Sequence, residues 1–253
     1  MLFINMYHRI IVWPLVIMFL LLQLTSCGIN STLNVRKESF GLLRVETSIK
    51  IRSCLRPERM CEQLEVIEAE QLLQSIGSAV IVDHKMRPRR TYLVSAWHVC
   101  DGGVVEEVKI YDAIYDVVST VKIEVITPDG NSHEASVIKK DEKSDLCLLE
   151  VNKKIGKKVK LAAWPPDWGE KTYNIAAPYG VFNKDLTLIF EGRYSGHAWK
   201  SSFFTFPARP GSSGSPVFNS DGELISIIHS SSTLMENIAI GTTYQALREF
   251  LKD

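Results

Sequence analysis

From residue 42 to residue 243 the chain is a succession of short β-type runs closed by turn residues, and this pattern limits the fold more than any other feature. In the first half the predicted strands are Leu42–Ile51, Gly77–Val82, Tyr92–Ala96, Val121–Thr127, Ala135–Lys139 and Leu146–Val151. In the second they are Lys171–Ala177, Leu186–Tyr194, Ser202–Phe206, Pro216–Asn219, Glu223–His229 and Ile238–Thr243. Pro128-Asp129-Gly130-Asn131 and Asp221-Gly222 are turn signals between neighbouring strands. Tyr244–Lys252 reads as a closing helix, and Gln63–Ser75 fits strand or helix equally. Arg52–Glu62 is expected to be a loop, Lys85–Arg90 a solvated hairpin loop, and Asp101–Thr120 an insertion flanking a cleft. Many short strands with few helices argue for an all-β fold of barrels. The basic link Asn152–Lys160 divides the strands into two lobes. A chain of 253 residues suits one two-lobed unit and no second independent domain.

Composition removes several function classes. Lys+Arg and Asp+Glu balance at 29 each, so nothing favours a nucleic-acid partner. An apolar fraction of 45% supports a packed core. No Cys/His spacing suggests a metal site, and no cofactor is expected. His8, His84, His133, His197 and His229 lack a motif context.

The first residues set the compartment. Arg9 precedes the apolar stretch Ile10–Leu22, which is followed by Leu24-Thr25-Ser26-Cys27. A basic start, a short apolar region and small residues before a cleavage point make a secretory signal peptide, and the stretch is short for a membrane span. The last four residues resemble a bacterial lipobox. That resemblance implies cleavage after residue 26, lipidation of Cys27 and a polar tether over 27–39. The expected location is the cell envelope, lipid-anchored to a membrane and facing the periplasm or the outside, with Gly28 favouring the outer membrane. Cys54 and Cys61 bracket a loop suited to a disulfide in an oxidising compartment. Cys100 and Cys147 lie two residues past His98 and Asp145 and are expected to be buried and free.

Three short segments carry the chemistry. His98 follows the apolar run Thr91–Ala96, Asp145 precedes the strand Leu146–Val151, and Ser213 stands in Gly-Ser-Ser-Gly-Ser-Pro at 211–216. A serine hydroxyl is a poor nucleophile until a base takes its proton, and the base needs a group to orient it. Glycines beside the serine let backbone N–H groups converge on one point. Taken singly, each segment has a bland reading: a core histidine, a capping aspartate, a glycine-serine turn.

Together the segments resemble the trypsin-like (chymotrypsin-fold) serine proteases, and most of all the protease domain of the HtrA/Deg group. Ser-Ala-Trp-His-Val at 95–99, the stretch 121–151 ending in Ser-Asp-Leu-Cys-Leu-Leu, the stretch 209–230 and the stretch 238–251 carry the likeness, which covers residues 40 to the C-terminus. The order histidine, aspartate, serine is the chymotrypsin order and not that of subtilisin or the α/β-hydrolases, which weakens a lipase or esterase reading. The resemblance implies two six-stranded antiparallel β-barrels, about 40–151 and about 160–253, with the site between them. It implies His98, Asp145 and Ser213 as the triad, and the N–H groups of Gly211 and Ser213 as an oxyanion hole. Ser212 and Ser215 depart from the group's usual Asn/Asp and Gly.

The implied activity is endopeptidase hydrolysis of a protein or peptide substrate through an acyl-enzyme. The primary pocket falls by alignment at Pro207 and Ala208 and along Ile228, His229, Ser230 and Ser231. No acid lies at its base, so small or aliphatic P1 residues are expected. The group often forms trimers, so an oligomer stays open; no PDZ-like segment is expected after the closing helix. The competing reading is a catalytically inactive protease-fold module that binds partners at the membrane.

Overall fold

A computed structural model describes residues 37–56, 71–110 and 113–252. The expected signal peptide, Cys27 and nearly all of the expected tether lie outside these residues, as does Cys61. A short 3-10 turn at Lys37–Ser39 leads into β1 (Phe40–Arg56). Then follow β2 (Gln71–Met86), β3 (Arg89–Ser95), a one-turn helix α1 (Trp97–Cys100), β4 (Glu107–Ile110), β5 (Ala113–Ile126), β6 (Ser132–Asp141) and β7 (Leu146–Val151). The second half carries β8 (Lys171–Ala176), β9 (Leu188–Ala198), β10 (Ser201–Phe204), β11 (Pro216–Phe218), β12 (Leu224–Ser231), β13 (Ala239–Thr242) and α2 (Tyr244–Phe250).

These strands make two closed six-stranded antiparallel barrels, a chymotrypsin-like fold. The first runs β1-β2-β3-β7-β6-β5 and closes where β5 pairs back onto β1, from Leu42 opposite Ile126 onward. The second closes in the order β10-β13-β12-β11-β8-β9. The structure departs from the sequence expectation over 52–56 and 101–120, narrows the expected 85–90 loop to a turn at Arg87-Pro88, and decides the segment left open between strand and helix. Strand β1 continues past Ile51 through Arg56, so Cys54 stands on a strand and not in a loop. The undecided segment is strand from Gln71 onward. The expected insertion after Asp101 is largely a hairpin of β4 and β5, because Ile114, Tyr115, Val117, Val118 and Thr120 are strand-forming residues that extend β5.

Alternation along each strand divides the apolar residues between two layers. Ala79 and Ile81 of β2, Leu93 of β3, and Cys147, Leu149 and Val151 of β7 fill the first barrel. The residues between them face the other way: Val80, Val94 and Leu146 join Phe40 and Leu42 in a second layer. Ile175, Phe218, Leu224 and Ile227 from the second barrel, with Leu247 and Phe250 of α2, complete that layer. This is why the strands beside the site read as continuous apolar runs: both faces are covered. Tyr194, Phe204, Phe206, Val217 and Ile225 fill the second barrel. Helix α2 starts at Thr243, whose hydroxyl accepts from the Ala246 N–H at 3.2 Å, and it seals one end of the shared layer.

Candidate active site

His98 stands on α1, directly after β3 leaves the first barrel. Ser95 Oγ donates to the Ser78 carbonyl at 2.7 Å, Ala96 is extended, and the chain then makes a single turn with Val99 and Cys100 buried beneath it. The His98 ring is left half-exposed on the outer side of that turn. Asp145 ends the β6–β7 turn. Asp141 Oδ1 accepts from the N–H groups of Lys143 and Ser144, and Asp145 itself adopts φ 53°, the left-handed region, just before β7.

The two residues meet through two hydrogen bonds, and a third comes from the neighbouring Trp97. His98 Nδ1 lies 2.6 Å from Asp145 Oδ2. The His98 backbone N–H donates to Asp145 Oδ1 at 2.9 Å, and the Trp97 N–H to the Asp145 carbonyl at 3.1 Å. Burial pushes the Asp145 carboxyl up, but the bonds from the His98 ring and backbone and the nearby His98 charge outweigh it, leaving the pKa below the ordinary aspartate value. The carboxylate is therefore ionised at neutral pH and fixes the ring so that Nε2 faces outward.

Ser213 belongs to the second barrel but is held against the first. Its carbonyl accepts from the Ser78 N–H at 2.7 Å. The Gly214 N–H donates to the Ile228 carbonyl at 2.7 Å, anchoring the loop to β12. Gly214 has φ 86°, and a Cβ there would collide with the Ser78 carbonyl and Ser95 Oγ, so only glycine lets the loop approach β2 and β3 this closely. Gly77 makes the matching approach from β2: a Cβ on it would meet Val99 at 2.6 Å and the Ser213 carbonyl at 3.1 Å. The neighbour of His98 and the backbone of Ser213 thus lie over one glycine. Among the described residues no hydrogen bond joins the Ser213 hydroxyl to the His98 ring; nucleophile–base bonds commonly tighten only around substrate.

The loop before Ser213 is shaped by its carbonyls. Pro210 C=O accepts from the Tyr179 N–H at 2.6 Å and Gly211 C=O from Ser78 Oγ at 2.9 Å. In a planar trans peptide the N–H points opposite the carbonyl, so the Gly211 N–H faces away from Tyr179. Neither the Gly211 nor the Ser213 N–H finds an acceptor among the described residues, whereas those of Ser212, Gly214 and Ser215 all do. The unusual serines are absorbed locally. Ser212 Oγ accepts from the Arg209 N–H, and the buried Ser215 Oγ accepts from Asn174 Nδ2 at 2.8 Å.

Sequence reasoning named His98, Asp145, Gly211 and Ser213; the structure pairs His98 with Asp145 and sets Gly211 and Ser213 in one loop bonded to Ser78, while Ser78 and Asn174, which hold that loop, were missed. Each of these two is one polar residue among several in its strand, with nothing in its neighbours to mark it. The pocket candidates are divided. Ala208 and Ile228 are buried in the core of the second barrel, while Pro207, His229 and Ser231 are half-buried and Ser230 is exposed. His229 is the residue skipped where β12 pairs with β13, since Ile228 faces Gly241 and Ser230 faces Ile240. Such a bulge re-aims a side chain, and here its ring is electrostatically coupled to both Asp145 and His98.

One expectation is overturned. Cys100 and Cys147 are buried but not free: they form a disulfide, with their Cα atoms 6.6 Å apart. The register decides it. Ser95 faces Cys147 across β3 and β7, and the turn of α1 brings Cys100 back over that pair. The other pairing, Cys54 with Cys61, lies outside the described residues.

The model of the trypsin-like peptidase domain family matches residues 77–227, more than half of the chain. The chain belongs to this family. The match opens at Gly77 and takes in His98, Asp145 and Ser213. No curated protein matches the sequence significantly. Among solved structures, the serine endoprotease from Yersinia pestis superposes with a TM-score of 0.53 at 20% identity, covering 81% of this chain. This chain spans 60% of the length of that protein. The likeness carries the trypsin-like fold.

Proposed function

We propose that this trypsin-like domain is a serine endopeptidase that cleaves through an acyl-enzyme. Ser213 Oγ attacks the scissile carbonyl while His98 Nε2 takes the hydroxyl proton; the C–N bond then breaks and His98 delivers that proton to the leaving amine. Water, deprotonated by the same ring, releases the acyl group and restores Ser213. Asp145 holds the ring tautomer and stabilises its cation. The N–H groups of Gly211 and Ser213 receive the developing oxyanion, and each such donor contributes about 3 kcal/mol to lowering the barrier in comparable sites. The observation that carries the reading is the 2.6 Å His98–Asp145 bond, together with the Gly211 and Ser213 N–H groups, which have no acceptor among the described residues.

A fluorophosphonate probe tests it, because it reacts only with an activated serine. Wild type labels with one equivalent and Ser213→Ala does not. A wild-type protein that stays unlabelled is the inactive binding module, and an equally labelled Ser213→Ala protein carries its nucleophile elsewhere.

In the same proposal the P1 residue is small or aliphatic, since Pro207 stands where an acid would be needed to favour Lys or Arg. A peptide library dominated by basic P1 residues overturns this. The protein is further proposed to be secreted and lipid-anchored through Cys27, on the strength of the lipobox-like Leu24-Thr25-Ser26-Cys27. Incorporation of radiolabelled palmitate, lost in Cys27→Ala, is the corresponding measurement.

A further inference from the structure

The Cys100–Cys147 bond has an unusual placement. Each sulfur follows one member of the His98–Asp145 pair by two residues, so one covalent bond spans the same two segments that the pair spans. We propose that this disulfide is a positioning device for His98 and Asp145, setting the distance and angle between ring and carboxylate. The inference rests on the reading of these residues as the base and its orienting acid.

Three observations support it. Helix α1 has only four residues and no side-chain cap at Ala96, so it has no stability of its own, and the His98 ring is half-exposed with little packing to hold it. Asp145 sits at φ 53°, a conformation that is unfavourable for a non-glycine residue and persists only where its surroundings over-determine it. The hydrogen bonds that His98 and Trp97 send to the other segment all end on Asp145 itself, and beside them Lys140 Nζ lies 4.6 Å from the centre of the Trp97 ring. The disulfide lies beneath them, at 3% and 0% exposure, and ends elsewhere.

A general staple is not needed at this place. Strands β3 and β7 are already paired along Thr91–Ser95, and Leu93, Val94 and Leu149 are fully buried between their neighbours. Beyond Ser95 the turn is held by the burial of Val99 and Cys100 and by Lys140 over the Trp97 ring, and the disulfide adds a covalent tie to β7. Reduction by a small dithiol passes two electrons and two protons to the sulfur pair, breaks the S–S bond and leaves two thiols and the reagent's cyclic disulfide. Two thiols do not stay at bonding distance, so α1 and the start of β7 separate along the line of the His98–Asp145 pair.

The test is a Cys100→Ala/Cys147→Ala variant, with the His98 ring titrated by NMR beside the pH profile of kcat/KM. Weakening the carboxylate contact displaces the His98 titration curve and the acid limb together from their wild-type positions. The kcat is expected to fall about tenfold with KM within about twofold, the pattern of lost geometry. A variant that unfolds at lower temperature while keeping the wild-type titration and kcat makes the bond a structural cross-link only and overturns the proposal. Should the variant not fold, wild type reduced with dithiothreitol under conditions of native circular dichroism is read in the same way. The titration needs no peptidase activity. A shifted His98 in a protein that never labels with fluorophosphonate therefore upholds the positioning role and removes the proposed function.

Discussion

At the scale of single residues, geometry and charge make separate demands on Asp145. Its pKa lies below the ordinary value of 3.8, with burial opposed by the His98 hydrogen bonds. A carboxyl with a depressed folded pKa adds stability above its unfolded pKa and loses it as pH falls through the folded one. Asp145→Asn therefore flattens the acid side of the stability curve below about pH 4, measured as unfolding midpoint against pH. The same variant lowers kcat about 10⁴-fold, since an amide favours the wrong ring tautomer. Gly214→Ala makes a different point. It needs φ 86° and forces a methyl onto the Ser78 carbonyl, so the expected outcome is loss of folded protein, not a slow enzyme. Circular dichroism separates the two results.

At the scale of elements, the site depends on where regular structure stops. Strand β3 hands over to a single helical turn, β7 begins directly after a left-handed residue, and β12 bulges at His229. Helix α2 has the opposite role and acts through packing. Leu247 is fully buried in the layer shared by the barrels, and Leu247→Ala is expected to cost about 2–5 kcal/mol in urea unfolding while leaving KM unchanged. Such elements were unequally legible. The runs at 92–96 and 146–151 were visible because β-branched and apolar residues cluster there. The β4–β5 hairpin was missed because its strand-formers are interrupted by Asp112 and Asp116. The one-turn helix at His98 was expected only as a turn, since four residues hold no periodicity to read.

At the scale of the whole molecule, residues from both barrels share one apolar layer, from Phe40 and Val94 to Phe218 and Phe250. The barrels should therefore unfold together, with tryptophan fluorescence and far-ultraviolet dichroism giving coincident denaturant curves. Two separated transitions would show that the shared layer does not couple them. The acid profile should have two stages. Burial pushes His84, His133 and His229 below the ordinary 6.5, so each adds stability above that pH and withdraws it as pH falls through its folded value. The carboxylates lowered by hydrogen bonds follow nearer pH 4. His229→Gln should shrink the first stage in a series of melting temperatures between pH 7 and pH 5.

The amino-acid sequence by itself determined the class of fold and named the candidates for the reacting groups. Strand periodicity and turn residues are local, and the order of His98, Asp145 and Ser213 is written in one dimension. Tertiary structure alone decided the rest: the bond between Cys100 and Cys147, the role of Ser78 between the loop and β2, the burial of Asn174 against Ser215, and the bulge that sets His229 within electrostatic reach of Asp145. Each of these depends on register and closure between segments far apart in the chain. A shift of one residue sends every side chain of a strand to its other face, and no local pattern specifies which distant partner it then meets.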